Sequence, residues 1–165
     1  MRILTIFGLV LLTASAALAG EAIQNSTNSL NFFVVSDTPL RGGRYVDTPE
    51  FPKLGYVSNS PSLVVSALRS VGTNSQTSIE RFQGKEKQTV ETVLEITMEP
   101  ADAKKFAKLT GENVGRQVVI MLGQRPLLAP FVMQPIDTPT IAIRVGEKAD
   151  FQSLERDLRR LAKHE

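Results

Sequence analysis

The chain has 165 residues, no cysteine, one histidine, and 19 Lys and Arg against 17 Asp and Glu, for a net charge of +2. Without cysteine there is no disulfide framework, thiol nucleophile, thiolate zinc cluster or lipid-modified N-terminal cysteine. The near balance of charge argues against nucleic acid or an anionic membrane surface as a partner.

Arg2 precedes an apolar run from Ile3 to Leu12, and small residues ending in Ala17-Leu18-Ala19 lead to Gly20. This is the layout of a secretory signal peptide over residues 1–19, with cleavage near Ala19. Retention as a membrane anchor is the alternative, but the apolar core falls short of the ~20 residues that span a bilayer. Cleavage leaves 146 residues carrying 18 basic and 17 acidic side chains. That length suits one domain able to bury roughly 70% of the surface its unfolded chain exposes. The expected product is periplasmic or secreted, with no stable membrane insertion.

Residues 20–30 are small and polar and read as a flexible leader. A single domain is expected over residues 31–165. Asn31 to Ser36 carries Phe32, Phe33, Val34 and Val35, a short buried strand closed by Ser36-Asp37-Thr38-Pro39. From Leu40 to Ser62, glycines and Pro49, Pro52 and Pro61 recur every few residues, which reads as a long ordered loop. Tyr45, Phe51 and Tyr56 within it either pin the loop to the core or form a recognition surface. Leu63 to Val71 fits a strand or a short helix, and Gly72 to Ser78 reads as a turn. Thr77 to Phe82 and Thr89 to Met98 flank the tip GKEKQ, and the alternation of Val90, Thr92, Leu94 and Ile96 with Glu91, Glu95 and Thr97 predicts a half-solvated hairpin.

Glu99 and Pro100 then stand where a helix favours an acid and a proline at its start. Ala103, Phe106, Ala107, Thr110 and Val114 recur at steps of three and four, giving one buried face. Gly115 follows as a helix stop, with Arg116 close to the negative helix end. Val118 to Leu122 is almost continuously apolar and β-branched, which predicts a central strand covered on both faces. Gly123-Gln124 allows a tight turn into Pro126 to Leu128, a strand whose proline assigns it to an edge or a late start. Pro130 and Pro135 bracket Phe131 to Gln134. Thr140 to Val145 is a compact strand, and Asp150 is the candidate cap of a last helix whose Phe151, Leu154, Leu158 and Leu161 share a face. Its charged side, including Glu155 and Arg159 at spacing four, reads as solvated. Two helices on one face of a mainly antiparallel sheet, an α+β fold, is the natural architecture.

The stretch LTGENVGRQVVIMLGQRPLLAP resembles the most recognisable segment of the head subdomain in the first periplasmic domain of SecD, of the SecDF family. Phe106, Leu109, Thr110, Asn113, Val114, Gly115, Arg116, the strand that follows, and Ala129-Pro130 carry the likeness. It extends more loosely over residues 90–161. Gly123-Gln124 replaces the family's usual Asp-Gly at the hairpin tip, and Leu128 replaces a serine; both suit a hairpin. The resemblance implies the SecDF head fold and contact with translocating or unfolded polypeptide, or with an envelope protein.

Among residues that could do chemistry, His164 stands one place from the C-terminus, where it cannot be held against a nucleophile or a metal. There is no phosphate-loop or nucleophile-elbow motif. Glu91 with Glu95, or Glu112 near Arg116, are the carboxylate pairs to test. No catalytic residue, metal or cofactor is assigned. Tyr45, Phe51, Tyr56 and Phe131 are the candidate polypeptide-binding residues, and Thr110, Asn113, Gly115, Arg116, Ala129 and Pro130 are expected to be structural. Two classes stay open: a non-enzymatic binding module, or a secreted enzyme or enzyme inhibitor built on the same fold.

Overall fold

The computed structural model describes residues 29–82, 85–144 and 148–162. The expected signal peptide, most of the leader, Gly146 and His164 lie outside the described residues. In chain order the elements are β1 (Leu30–Val34), β2 (Arg44–Val46), β3 (Gly55–Val57), β4 (Leu63–Val65), β5 (Leu68–Phe82), β6 (Lys85–Met98), α1 (Pro100–Glu112), β7 (Val118–Leu122), β8 (Arg125–Leu128), β9 (Thr140–Arg144) and α2 (Lys148–Leu161). The fold is α+β and antiparallel, as the sequence predicts, with the strands divided among three sheets. One is four-stranded in the order β4-β1-β7-β8, one is the hairpin β2-β3, and one is three-stranded in the order β5-β6-β9.

Strand β7 is buried along its whole length because both faces of its sheet are covered. On one face Val118, Ile120 and Leu122 join Leu30 and Phe32 of β1, Phe106 and Leu109 of α1, Leu94 and Ile96 of β6, and Leu154 and Leu158 of α2. Phe106 packs its ring on Phe32, with centroids 5.4 Å apart. The two helices thus share one core, α1 against the four-stranded sheet and α2 against β5. On the other face Val119 and Met121 meet Phe33 and Val35 under Val46 and Val57 of the small hairpin.

That hairpin corrects the long-loop expectation for residues 40–62. The prolines fall in its connection and flanks, whereas Arg44, Tyr45 and Val46 pair with Val57, Tyr56 and Gly55. Gly55 has φ +129, and a Cβ there would stand 2.8 Å from Val35 Cγ1 and 2.9 Å from the Ser36 carbonyl oxygen. Only a glycine lets β3 lie this close to the end of β1.

The turn expected at Gly72 to Ser78 is also corrected, since these residues continue β5. Its polar residues have turn composition, but Thr73, Asn74 and Ser75 sit opposite Leu94, Val93 and Thr92 of a strong strand former. Strands β5 and β6 pair from Leu68 opposite Met98 out to Phe82 opposite Lys85, so Lys85 to Gln88 of the expected hairpin tip belong to β6. Leu63 to Val71 divides into β4 and the start of β5. Ser29 and Leu30, assigned to the leader, are buried, and β1 begins at Leu30. Asp150 lies inside α2 rather than capping it. Val114 is 49% exposed, because α1 stops at Glu112 and the 3.6-residue period ends with it. Asn113 is the buried residue there instead.

Candidate functional site

Helix α1 starts as its sequence predicts, with Glu99 at the N-cap and Pro100 in the first turn. Its C-terminal end is built from the motif residues. Thr110 Oγ1 donates to the Phe106 carbonyl at 3.0 Å and accepts from the Ile136 amide at 3.0 Å, tying the helix to the segment after β8. Asn113 Nδ2 donates to the Leu109 carbonyl at 2.8 Å, while its Oδ1 accepts from Arg116 Nη1 at 3.1 Å. At the helix end the Leu109 carbonyl thus has a side-chain partner, and the Thr110 carbonyl accepts from the Asn113 amide at 3.2 Å. Gly115 takes φ +81, and its amide donates to the Val132 carbonyl at 2.7 Å.

Past Gly115 the chain joins the four-stranded sheet. Val118 N donates to the Pro130 carbonyl and Val132 N to the Arg116 carbonyl, so Gln117 faces Phe131 in an antiparallel bridge. Gln117 Nε2 donates to the Ala129 carbonyl at 2.7 Å and fixes Ala129-Pro130 beside it. On its other side Gln117 O accepts from Val35 N at 2.9 Å, but the reciprocal bond from Gln117 N is absent among the described residues. The reason is the next residue. Ser36 exchanges both main-chain bonds with Tyr56, each 2.8 Å, so β1 leaves the large sheet at Val35 and follows the small hairpin.

The strands splay there into a cleft of about 360 Å³, lined by Val35, Ser36, Asp37, Thr38, Gly115, Arg116, Gln117 and Phe131. Val35 and Phe131 supply apolar walls. Ser36 Oγ donates to the Thr38 carbonyl and accepts from the Thr38 amide, which folds the opposite wall into a tight turn. Arg116 and Asp37 are both exposed, and no ion pair within 4.0 Å joins them among the described residues.

Of the sequence-predicted binding residues, Phe131 is at the cleft and is 64% exposed. Tyr45 and Tyr56 form a ring pair 4.9 Å apart on the face of the hairpin opposite buried Val46 and Val57. Neither tyrosine nor half-buried Phe51 lines the cleft. The aromatics therefore do not pin the hairpin; Val46, Val57 and Leu54 do. Phe51 is held in its own turn, where its amide donates to the Thr48 carbonyl at 3.0 Å and lies 3.2 Å from Thr48 Oγ1.

Sequence reasoning missed Ser36, Asp37, Thr38 and Gln117 as cleft residues, and it missed Met133, which is 82% exposed two residues from Phe131. The signal available was a polar Gln117 heading an apolar strand, and two large apolar residues between two prolines. It also missed Arg44. That guanidinium lies over the Phe33 ring at 5.5 Å, donates to Gln124 Oε1 at 3.0 Å and lies 3.5 Å from Met121 Sδ, while its buried Nε has no partner.

The carboxylates considered for chemistry have other partners: Glu91 pairs with Arg144 at 3.4 Å, Glu95 accepts from Asn74 Nδ2 at 2.9 Å, and Glu112 lies 3.7 Å from Lys108. No cluster of three or more metal-ligating side chains occurs among the described residues. No described helix is long and apolar enough to cross a membrane.

This fold, two helices on antiparallel sheets, is shared with solved SecDF structures. One, of SecDF as a membrane component that enhances protein export, superimposes with a TM-score of 0.51 at 19% identity over 82% of this chain and 63% of that chain. Another, of SecDF in its super-membrane-facing form, gives the same TM-score and identity over 82% of this chain and 19% of that chain. In sequence, 49 residues are 45% identical to the protein translocase subunit SecD of Acidaminococcus fermentans, spanning 30% of this chain and 12% of that protein. No family model matches the chain. The chain carries a SecD-like domain and spans a small part of the length of that SecD.

Proposed function

We infer that this is a non-catalytic, protein-transport-related binding module that holds extended or unfolded polypeptide in the periplasm. The observation that carries the reading is the pair Phe131 and Met133, exposed beside a cleft whose wall includes Gly115 and Arg116. Exposed large apolar residues next to a concave surface mark interaction sites. The likeness to a protein translocase subunit and to a component that enhances protein export supports polypeptide as the ligand. Residues 1–19 are the cleaved signal in this reading, residues 20–30 a leader, and residues 31–165 one domain. The outward Tyr45–Tyr56 pair is a second contact surface, reached by a longer segment. The affinity is micromolar or weaker, roughly −8 kcal/mol at most, because ordering a flexible ligand offsets much of its contact energy.

The test is an anisotropy titration of a fluorescein-labelled, permanently unfolded protein with residues 20–165, alongside the double variant Phe131→Ser, Met133→Ser. Wild type should saturate in the micromolar range and the double variant should bind at least roughly tenfold more weakly. Equal binding by both would remove the cleft region as the site.

A further inference from the structure

The mode of binding can be read from the main chain between Pro130 and Pro135. Val132 turns inward: its side chain is buried in the main core, its amide donates to the Arg116 carbonyl at 2.9 Å and its carbonyl accepts from Gly115 N. Backbone groups alternate in direction along an extended chain. Those of Phe131 and Met133 consequently point away from β7, and among the described residues none of their N–H and C=O groups has a partner. Their side chains project from the same two positions, 64% and 82% exposed.

We propose that an extended polypeptide segment adds to this edge as a further β-strand, bonding to the free N–H and C=O groups of Phe131 and Met133 and laying every second side chain beside their exposed side chains. This deepens the polypeptide-binding reading and rests on it. The free groups specify a main chain as their complement, since they repeat at strand spacing and carry no charge. Phe131 and Met133 set the side-chain preference, because cross-strand neighbours of aromatic and long apolar residues favour β-branched or aromatic partners. Phe131 also lines the cleft, which extends the contact toward Asp37 and Arg116.

Pro130 and Pro135 fix the length. Neither has an N–H to donate, and the chain bends at Gln134, so the edge is confined to residues 131–133, about 10 Å of strand. That is too short to bury the ~1,200 Å² or more of a stable interface between two copies of this chain. It fits a passing segment held weakly.

The experiment uses residues 20–165 and a capped nine-residue probe peptide of alternating threonine and valine or phenylalanine, closed by two lysines. Each probe amide is N-methylated in turn. Strand addition predicts sensitivity at two probe amides two positions apart, those that face the Phe131 and Met133 carbonyls: methylation there weakens binding roughly fivefold or more, and elsewhere by less than about twofold. Met133→Pro, which removes one free donor, should weaken the unmethylated probe by a similar factor, with Met133→Ala as the side-chain control. The methylation scan alters no residue of the protein, so it stands even if Met133→Pro fails to fold. A flat scan with a probe that binds overturns strand addition and leaves the polypeptide reading intact. No binding by the probe or by an unfolded protein overturns both. A dimer by sedimentation that Met133→Pro dissolves would make a second copy the occupant and overturn the proposal.

Discussion

At Gly115 the backbone and the surroundings separate cleanly. Its φ of +81 is a conformation other residues adopt only with strain, yet a Cβ there would meet nothing within 4 Å. The cost of adding a Cβ is therefore conformational, and Gly115→Val should lower stability by about 1 to 3 kcal/mol. Denaturant melts measure it, and an unchanged midpoint would contradict this account of the helix stop. Arg44 makes the opposite case, a cation whose value lies in what it covers. Arg44→Ala should cost about 1 to 2 kcal/mol through the lost Phe33 and Gln124 contacts. Arg44→Met should recover most of it, because an apolar chain fills the same space without a buried, unpaired Nε. Melting both variants against wild type decides the point. The glycine was legible in the sequence because its role follows from local geometry, one residue after a periodic run. Arg44 was not, because its partners Phe33, Met121 and Gln124 belong to other strands, and no local pattern announces such a contact.

Among the elements, local rules succeeded where one element made its own case. Helix α1, the all-buried β7 and the proline-marked edge strand β8 all follow from period, run length and proline chemistry. They failed where a strand is specified by its neighbour. Arg44–Val46 and Gly55–Val57 are each three residues long, too short to show alternation, and exist because the hairpin caps the second face of the large sheet. The polar end of β5 is a strand because β6 lies against it. Only part of the cleft was readable for the same reason. Gly115 and Arg116 belong to a local motif and Phe131 directly follows it, whereas Ser36 to Thr38 reach them by the departure of β1 toward Tyr56. Gly55→Ala tests that junction. It combines a strained φ with contacts below 3.0 Å to Val35 and the Ser36 backbone, so at least about 2 kcal/mol should be lost. Hydrogen exchange should show the amides of Ser36 and Tyr56 losing protection first. Uniform loss across the domain would contradict the hairpin's standing as a separately docked element.

For the whole molecule, the proposed function joins a SecD-like fold to a cleft and an open strand edge at one end of the large sheet. Processing is the first consequence to check: protein recovered from the cell envelope should have the mass of residues 20–165, and a mass that retains Arg2 together with carbonate-resistant membrane association would establish an anchor instead. The central claim is that polypeptide binds at the cleft and its edge, and backbone amide shifts test it most directly. Isotope-labelled residues 20–165 should be titrated with a permanently unfolded protein to high micromolar concentration. The account predicts saturable shifts at Gly115, Gln117, Phe131 and Met133, smaller ones at Tyr45 and Tyr56, and none along the outer face of α2. Shifts confined to α2, or an unchanged spectrum throughout, would contradict it.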